Sequence, residues 1–350
     1  MSTFYKLLIK EVRRETPQAV SVAFNVPEEL KSQYAFTAGQ YVNLKLTLDG
    51  KEIRRAYSLC SSPESGEFRI AIKAVANGTF SQFANTTLKQ GDLIEVGVPE
   101  GRFTLEPKAD NQRNYAAFAA GSGITPIMSI IQSVLHNEPK STFVLLFGNK
   151  SPEETIFYKQ LHDLQLKYVG RFFVHFTFTK VNVDESLFGR IDKSAVNFVL
   201  KNKHKEKDFA KYYLCGPEDM ISTVSTVLKE HNVPEKDIKF ELFSTTPNET
   251  KVENTLGGHT KITVMVDDEE VSFEMAQKQT ILEAALKQGI DAPYSCQGGI
   301  CSSCLARVTK GAAEMKKNAI LTDKEIADGL ILTCQAHPTT DEIYVDYDDV

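Results

Sequence analysis

Residues 294–304 read YSCQGGICSSC, and the remaining downstream cysteine, Cys334, sits in LTCQAHP. The spacing Cys296-x4-Cys301-x2-Cys304, then 29 residues to Cys334, requires one loop to surround a site on three sides and a distant segment to return and close it. Three chemistries could ask for this: a disulfide, a metal ion, or an iron–sulfur centre. A chain of 350 residues that is 42% hydrophobic buries cores in two or three domains without disulfide staples. Its opening, MSTFYKLLIKEVRRE, lacks the continuous apolar stretch and small-residue cleavage site of a secretory signal. Nowhere do eighteen apolar residues run together, so membrane insertion is not expected. The expected location is cytoplasmic, where thiols stay reduced and clustered cysteines bind metal or carry electrons.

A structural zinc site normally presents two tight pairs of ligands, whereas here the fourth cysteine stands alone in sequence. His337 could be a further ligand, but a lone histidine of this kind is more often just solvated. The C-x4-C-x2-C…C spacing is that of a plant-type 2Fe–2S centre. Gly298 and Gly299 let main-chain N–H groups approach the sulfurs without a Cβ in the way, and such bonds help set a potential. Zinc and unliganded structural thiols remain the alternatives. An iron–sulfur centre passes one electron at a time and needs a donor; without one, the chain would be a redox-responsive interaction module with no turnover.

Charge divides the chain. From Thr260 onward 16 acids oppose 8 bases, a net of −8; the whole chain carries −6, which leaves +2 on residues 1–259. This marks a separate acidic domain at 260–350, argues against a nucleic-acid partner, and either keeps the domain soluble or steers a basic protein partner. Residues 245–259, TTPNETKVENTLGGH, are polar and aperiodic, and predict a linker at 246–259. Beyond it ITVMVDDEEVSFEM predicts a hairpin about an acidic turn, and TILEAALKQG a helix with a Thr280/Glu283 capping box and Gly289 at its end.

Within residues 1–107 six short alternating segments, from KLLIKEV to LIEVGV, predict antiparallel strands in a barrel or a sandwich. From Asn114 the period changes: YAAFAA runs into GSGITP and the helical IMSIIQSVLHN, and strands then alternate with helical segments through residues 108–245, as in a parallel α/β domain. In AAGSGITP, Gly121 and Gly123 permit a tight turn close to a phosphate, and Pro126 suits the first helical turn, whose N–H groups are free for an anion. An ordinary strand-to-helix turn would read the same way. RRAYSLCS is by itself an alternating strand, and YYLCGPEDM a strand ending in Gly-Pro. Both glycine-bearing turns nevertheless fall at carboxyl ends of strands, where open α/β sheets bind ligands.

R-x-Y-S, then G-x-G-x-x-P, then C-G-P, in that order and at that separation, resemble the ferredoxin-NADP reductase superfamily over residues 3–246, and residues 260–350 resemble a plant-type ferredoxin. Together they resemble the reductase components of multicomponent oxygenases, of epoxidase, Rieske and ketosteroid-hydroxylase kinds. The resemblance implies a multidomain fold: an antiparallel β-barrel FAD domain (1–107), an α/β parallel-sheet NAD(P)H domain (108–245), the linker, and an α+β β-grasp ferredoxin domain (260–350). It implies that Cys296, Cys301, Cys304 and Cys334 ligate the irons. Arg55 would hold the flavin pyrophosphate, Tyr57 and Ser58 the ring and ribityl groups, Ile72 and Lys73 would line it, and Gly78 to Ser81 would meet its phosphates. Gly121, Gly123, Thr125 and Pro126 would form the pyridine-nucleotide turn, with Cys215, Gly216 and Pro217 near the nicotinamide. Glu241 and Phe243 match an acid-aromatic tail beside the flavin. Ser58, Cys215 and Glu241 are the expected catalytic residues.

Thr179-Lys180 stands where relatives that use NADPH carry Ser-Arg. Lys180 supplies a point charge for a 2′-phosphate but not the planar fork of arginine, and no acid occupies the pair to favour NADH. The expectation is NADPH over NADH, FAD over FMN, and an oxygenase protein as electron acceptor, met by Tyr294, Gln297, Ser302 and Ser303. Cys60 lies outside the ligand set and is expected to be a small buried hydrophobe.

Overall fold

The computed structural model describes residues 3–48, 50–243 and 257–350. The linker expected at 246–259 falls outside them over 246–256. All six alternating segments of the amino-terminal region are strands: β1 (Phe4–Thr16), β2 (Ala19–Asn25), β3 (Tyr41–Leu48), β4 (Lys51–Ser58), β5 (Phe68–Lys73) and β6 (Leu93–Gly97). They form one sheet in the order β4-β3-β6-β1-β2-β5, and an antiparallel bridge from Leu59 to Ile70 joins its two ends into a barrel. Alternation explains the closure: Leu7 and Ile9 of β1 and Ile70 and Ile72 of β5 point inward and are fully buried. Each such side chain contributes roughly 1.5–3 kcal/mol. A short helix, α1 (Thr79–Thr86), follows β5. Its sequence, TFSQFANT, is too short and polar to announce a helix by period.

The next sheet is parallel, with β7 (Asn114–Ala120), β8 (Thr142–Asn149), β9 (Phe172–Phe178), β10 (Leu187–Phe188), β11 (Phe209–Gly216) and β12 (Ile238–Leu242) in the order β10-β9-β8-β7-β11-β12. Helices α2 (Ile124–Asn137), α3 (Tyr158–Lys167), α4 (Lys193–Asn197) and α5 (Glu218–Glu230) connect them. The chain steps outward from β7 on one side and resumes with β11 on the other, so the strand order reverses between β7 and β11. That reversal opens a crevice at their carboxyl ends, the place where such sheets take ligands. Barrel and parallel sheet pack as one compact unit, Phe4–Ile53 with Tyr57–Phe243. Side chains stitch them together: Ser129 Oγ donates to the Ser61 carbonyl at 2.6 Å, Gln132 Nε2 to the Cys60 carbonyl at 3.1 Å, and Lys239 Nζ to the Thr104 carbonyl at 2.8 Å.

The carboxyl-terminal unit is built on a mixed sheet. β13 (His259–Val266) and β14 (Glu269–Ala276) form the expected hairpin, whose turn residues Asp267 and Asp268 have φ of 54° and 61°. Such a turn matches strand twist. Helix α6 (Ile281–Lys287) follows, then β15 (Leu305–Lys310), β16 (Ala313–Met315), α7 (Asp323–Ala327), β17 (Leu330–Leu332), β18 (Ala336–Pro338) and β19 (Glu342–Asp346). The main sheet runs β14-β13-β19-β15-β17, with β13 and β19 parallel and the other pairs antiparallel, over a core that includes Ile281, Ala285, Ile343 and Val345. This is a β-grasp arrangement. Thr280 caps α6 by accepting the Glu283 N–H at 3.2 Å, but the capping box expected there is incomplete, because Glu283 pairs with Lys287 at 2.9 Å instead. The complete box lies at α7, between Thr322 and Glu325. No helix among the described residues is long and apolar enough to cross a membrane.

Candidate active site and cluster loop

Sheet register assembles the expected catalytic residues. In the β7-β11-β12 ladder Cys215 lies beside Ala119 on one side and Glu241 on the other. From the barrel, Ser58 at the end of β4 donates its Oγ proton to Glu241 Oε2 at 3.2 Å. Ser58 and Cys215 are buried. Part of the Glu241 residue stays exposed, but its carboxyl is shut away from water, and this desolvation pushes its pKa up to about 8, against the lowering effect of the Ser58 hydrogen bond. Desolvation likewise holds the Cys215 thiol well above its usual range, with the Glu241 charge adding to the rise. This thiol stays protonated and is not an activated nucleophile.

The nucleotide turn is a single 3-10 turn, Gly121–Gly123, leading into α2 with no side-chain cap on its N–H groups. Gly123 is needed for contact: a Cβ there would lie 2.1 Å from the Cys215 carbonyl oxygen. Thr125 and Pro126 are buried in the first turn of α2, and the Thr125 hydroxyl donates to the Ser122 carbonyl at 3.0 Å. Lys73 comes to the same place, its ammonium 3.6 Å from where a Cβ on Gly121 would stand. Its pKa is lowered, first by burial and then by Lys150. Gly216 follows Cys215, and Pro217 is the exposed N-cap of α5.

A flavin fits the barrel side. Helix α1 begins at Gly78 with no side-chain cap, so its first N–H groups and dipole are available to a phosphate. A Cβ on Gly78 would lie 2.6 Å from Ser81 Oγ, which itself accepts the Val75 N–H at 3.1 Å. Tyr57 packs against Phe80 with centroids 5.6 Å apart, and Arg55 is exposed on β4. Ile72 sends its side chain wholly into the barrel core, whereas Phe243, just past β12, is exposed. Thr179 and Lys180 lie at the end of β9, two strands from β7. Their company, Lys150 and Glu154, was missed in the sequence, where FGNKSPEE reads as an ordinary turn.

In the other unit the four cysteines come as two pairs. Cys301 Sγ donates to Cys296 Sγ at 3.1 Å, and this bond lowers the Cys296 pKa to about 6 while that of Cys301 is raised. Cys304 and Cys334 share a second such bond, which lowers Cys334 and raises Cys304. The distant cysteine arrives through the sheet: the β15-β17 register, Leu305 opposite Leu332, is extended by the Thr333 N–H to the Cys304 carbonyl at 3.0 Å. Among the described residues no three His, Cys, Asp or Glu side chains are arranged to hold one metal ion. Two thiol pairs suit a binuclear centre, in which each iron takes two thiolates. The Gly298 N–H donates to Cys296 Sγ at 3.3 Å, and Gly299, at φ 71°, leaves no room for a Cβ, which would sit 2.9 Å from the Lys317 carbonyl oxygen. Of the residues expected to meet a partner, Gln297 is exposed, Tyr294 and Ser302 are half-buried, and Ser303 is buried and presents no docking surface.

Comparison with known proteins agrees with this layout. The chain matches the oxidoreductase FAD-binding domain over residues 7–105, the oxidoreductase NAD-binding domain over 118–226, and the 2Fe–2S iron–sulfur cluster binding domain over 264–339. It is 39% identical to a subunit of 1,2-phenylacetyl-CoA epoxidase from Escherichia coli K12, with 99% of each chain covered. It is 31% identical to the ferredoxin reductase component of 3-ketosteroid-9-alpha-monooxygenase from Rhodococcus rhodochrous, over 97% of this chain and 96% of that one. Phthalate dioxygenase reductase shares its fold, with a TM-score of 0.61, 22% identity and 98% of each chain covered.

Proposed function

Because the chain belongs to the family of FAD-, NAD(P)H- and 2Fe–2S-dependent reductase components of multicomponent oxygenases, we propose that its acceptor is the oxygenase of a phenylacetyl-CoA epoxidase. The observation that carries this acceptor is the 39% identity to a subunit of that enzyme along the whole chain. A ketosteroid or Rieske hydroxylase is the second reading, supported by the lower identity of 31%. A bound flavin accepts a hydride as an electron pair and releases electrons singly, which a 2Fe–2S centre can carry onward.

The chain's own part is placement, since hydride transfer asks for no general acid. Arg55 and the first turn of α1, Gly78 to Ser81, hold the FAD phosphates; Tyr57, Ser58, Lys73 and Phe243 border the flavin, while Ile72, whose side chain lies in the barrel core, offers it only main chain. Gly121, Gly123, Thr125 and Pro126 shape the turn that receives the coenzyme pyrophosphate, with Lys73 adding charge. Cys215, Gly216 and Pro217 face the nicotinamide, and Glu241 keeps its proton to about pH 8, which avoids a fixed anion beside the reacting rings. Lys180, beside Thr179, anchors the 2′-phosphate of NADPH. Cys296, Cys301, Cys304 and Cys334 hold the irons. The functional boundaries are 1–107, 108–245, a 246–259 linker and 260–350, in a cytoplasmic protein whose six cysteines form no disulfide.

Anaerobic NADPH added to the holoprotein should bleach the cluster absorbance, and in a separate aerobic assay phenylacetyl-CoA, O2 and the epoxidase oxygenase should couple coenzyme oxidation to epoxide formation. Bleaching without coupling there, but with coupling to a ketosteroid hydroxylase, would reassign the acceptor. Absence of bleaching would sink the electron path.

A further inference from the structure

At the carboxyl ends of β8 and β9 one carboxylate stands between two lysines. Lys150 follows β8 and Lys180 follows β9, held abreast by the Thr179 N–H to the Asn149 carbonyl at 3.1 Å and the Lys180 N–H to the Lys150 carbonyl at 3.0 Å. Glu154 lies between them, Oε1 3.0 Å from Lys180 Nζ and Oε2 3.4 Å from Lys150 Nζ. Its side chain is 23% exposed, against 52% and 60% for the two lysines. The turn that carries it is fixed, with Thr155 Oγ1 donating to the Ser151 carbonyl at 2.7 Å and the Thr155 N–H to the Pro152 carbonyl at 3.0 Å. Its neighbour Glu153 bonds instead to Ser151 of the same turn. Lys73, next to Gly121, feels the charges of both Lys150 and Glu154.

An exposed ion pair contributes little to stability, about 0–1 kcal/mol. What distinguishes this one is its place at the carboxyl ends of adjacent parallel strands, where α/β sheets receive ligands. Asn149 Nδ2, next in sequence to Lys150, is also buried with no hydrogen-bond partner among the described residues. Two ammonium groups converge here on one anion, and that anion is supplied by the protein itself.

We propose that Glu154 sets coenzyme selectivity, standing between Lys150 and Lys180 where a ribose 2′-phosphate would bind, so that NADPH must displace it while NADH donates its 2′-hydroxyl to it. This rests on the reading of the chain as an NAD(P)H reductase. Glu154 therefore restrains the preference for NADPH that Lys180 would otherwise confer, and its charge, more than its shape, is what discriminates.

The test is calorimetric titration of the flavin-loaded full chain with 2′,5′-ADP and with 5′-AMP, alongside kcat/KM for NADPH and NADH. Glu154→Gln should tighten 2′,5′-ADP about tenfold, shift 5′-AMP less than about twofold, and raise the NADPH-to-NADH ratio of kcat/KM by a similar factor. Lys180→Met should weaken 2′,5′-ADP and leave 5′-AMP unchanged. Equal shifts for both nucleotides in Glu154→Gln, or none, overturn the proposal. If the wild type oxidises NADPH or NADH and only the selectivity stays put, the reductase reading stands and this inference falls. If neither coenzyme reduces the wild-type flavin, both fall.

Discussion

Three of the four cysteines proposed to hold the cluster share a nine-residue loop, and the fourth is delivered by the strand pair next to it. Ser58, Cys215 and Glu241 come instead from a barrel strand and two strands of a different sheet, and meet only because two sheets pack together. The first site is held by spacing along the chain and the second by tertiary register. A local site can fail on its own; a distributed one fails whenever either of its supports shifts.

Cys334→Ser gives the largest expected effect and probes that independence directly. It should abolish the cluster spectrum and all electron flow to an oxygenase, while NADPH-driven reduction of ferricyanide by the flavin stays within about twofold of wild type. Loss of flavin reduction as well would break the contrast. Gly123→Ala is the reverse experiment: a Cβ pressed 2.1 Å from the Cys215 carbonyl oxygen must move the turn or the strand. Overpacking of this kind costs about 1–3 kcal/mol, and NADPH-to-ferricyanide activity should collapse with the cluster spectrum intact.

Glu241 supplies a finer distinction through pH. Its folded pKa of about 8 lies above the ordinary 4.5, so between those values the folded protein keeps a proton that the unfolded chain has released. Stability of the flavin-free protein should fall as pH rises through that window and level off above about 8. Glu241→Gln should flatten the slope in thermal melts; an unchanged slope would show that the carboxyl is better solvated than its packing implies. The smallest effect belongs to Thr322→Ala, which removes the α7 capping box and should cost about 1 kcal/mol in denaturant unfolding of the carboxyl-terminal unit, leaving NADPH-to-ferricyanide activity untouched.

The same contrast governs what could be read from sequence. Strand alternation in β1 to β6 and the cysteine spacing are local signals, and both were legible, as was the hairpin whose turn falls on Asp267 and Asp268. Resemblance supplied Ser58, Cys215 and Glu241 as a set, yet no local pattern states that they touch; that follows from the β11-β12 register and the seating of the barrel. Helix α1 was missed because its eight residues are too few to show a period. The box read at Thr280 belongs to Thr322, since Glu283 has Lys287 one turn away and takes the ion pair instead. Glu154 went unnoticed because an acid in a Pro-Glu-Glu turn looks like ordinary surface until the ends of β8 and β9 are set side by side.

The hydrogen bond from Thr333 to the Cys304 carbonyl also orders events in time. Cys296 and Cys301 can come together as soon as their loop is synthesised, but the partner of Cys304 is coded thirty positions later. At roughly 5–20 residues per second a ribosome needs about 1.5–6 s to cover that gap. Chain order thus makes closure of the second pair the last event at this site, since its far half is among the final residues to be made.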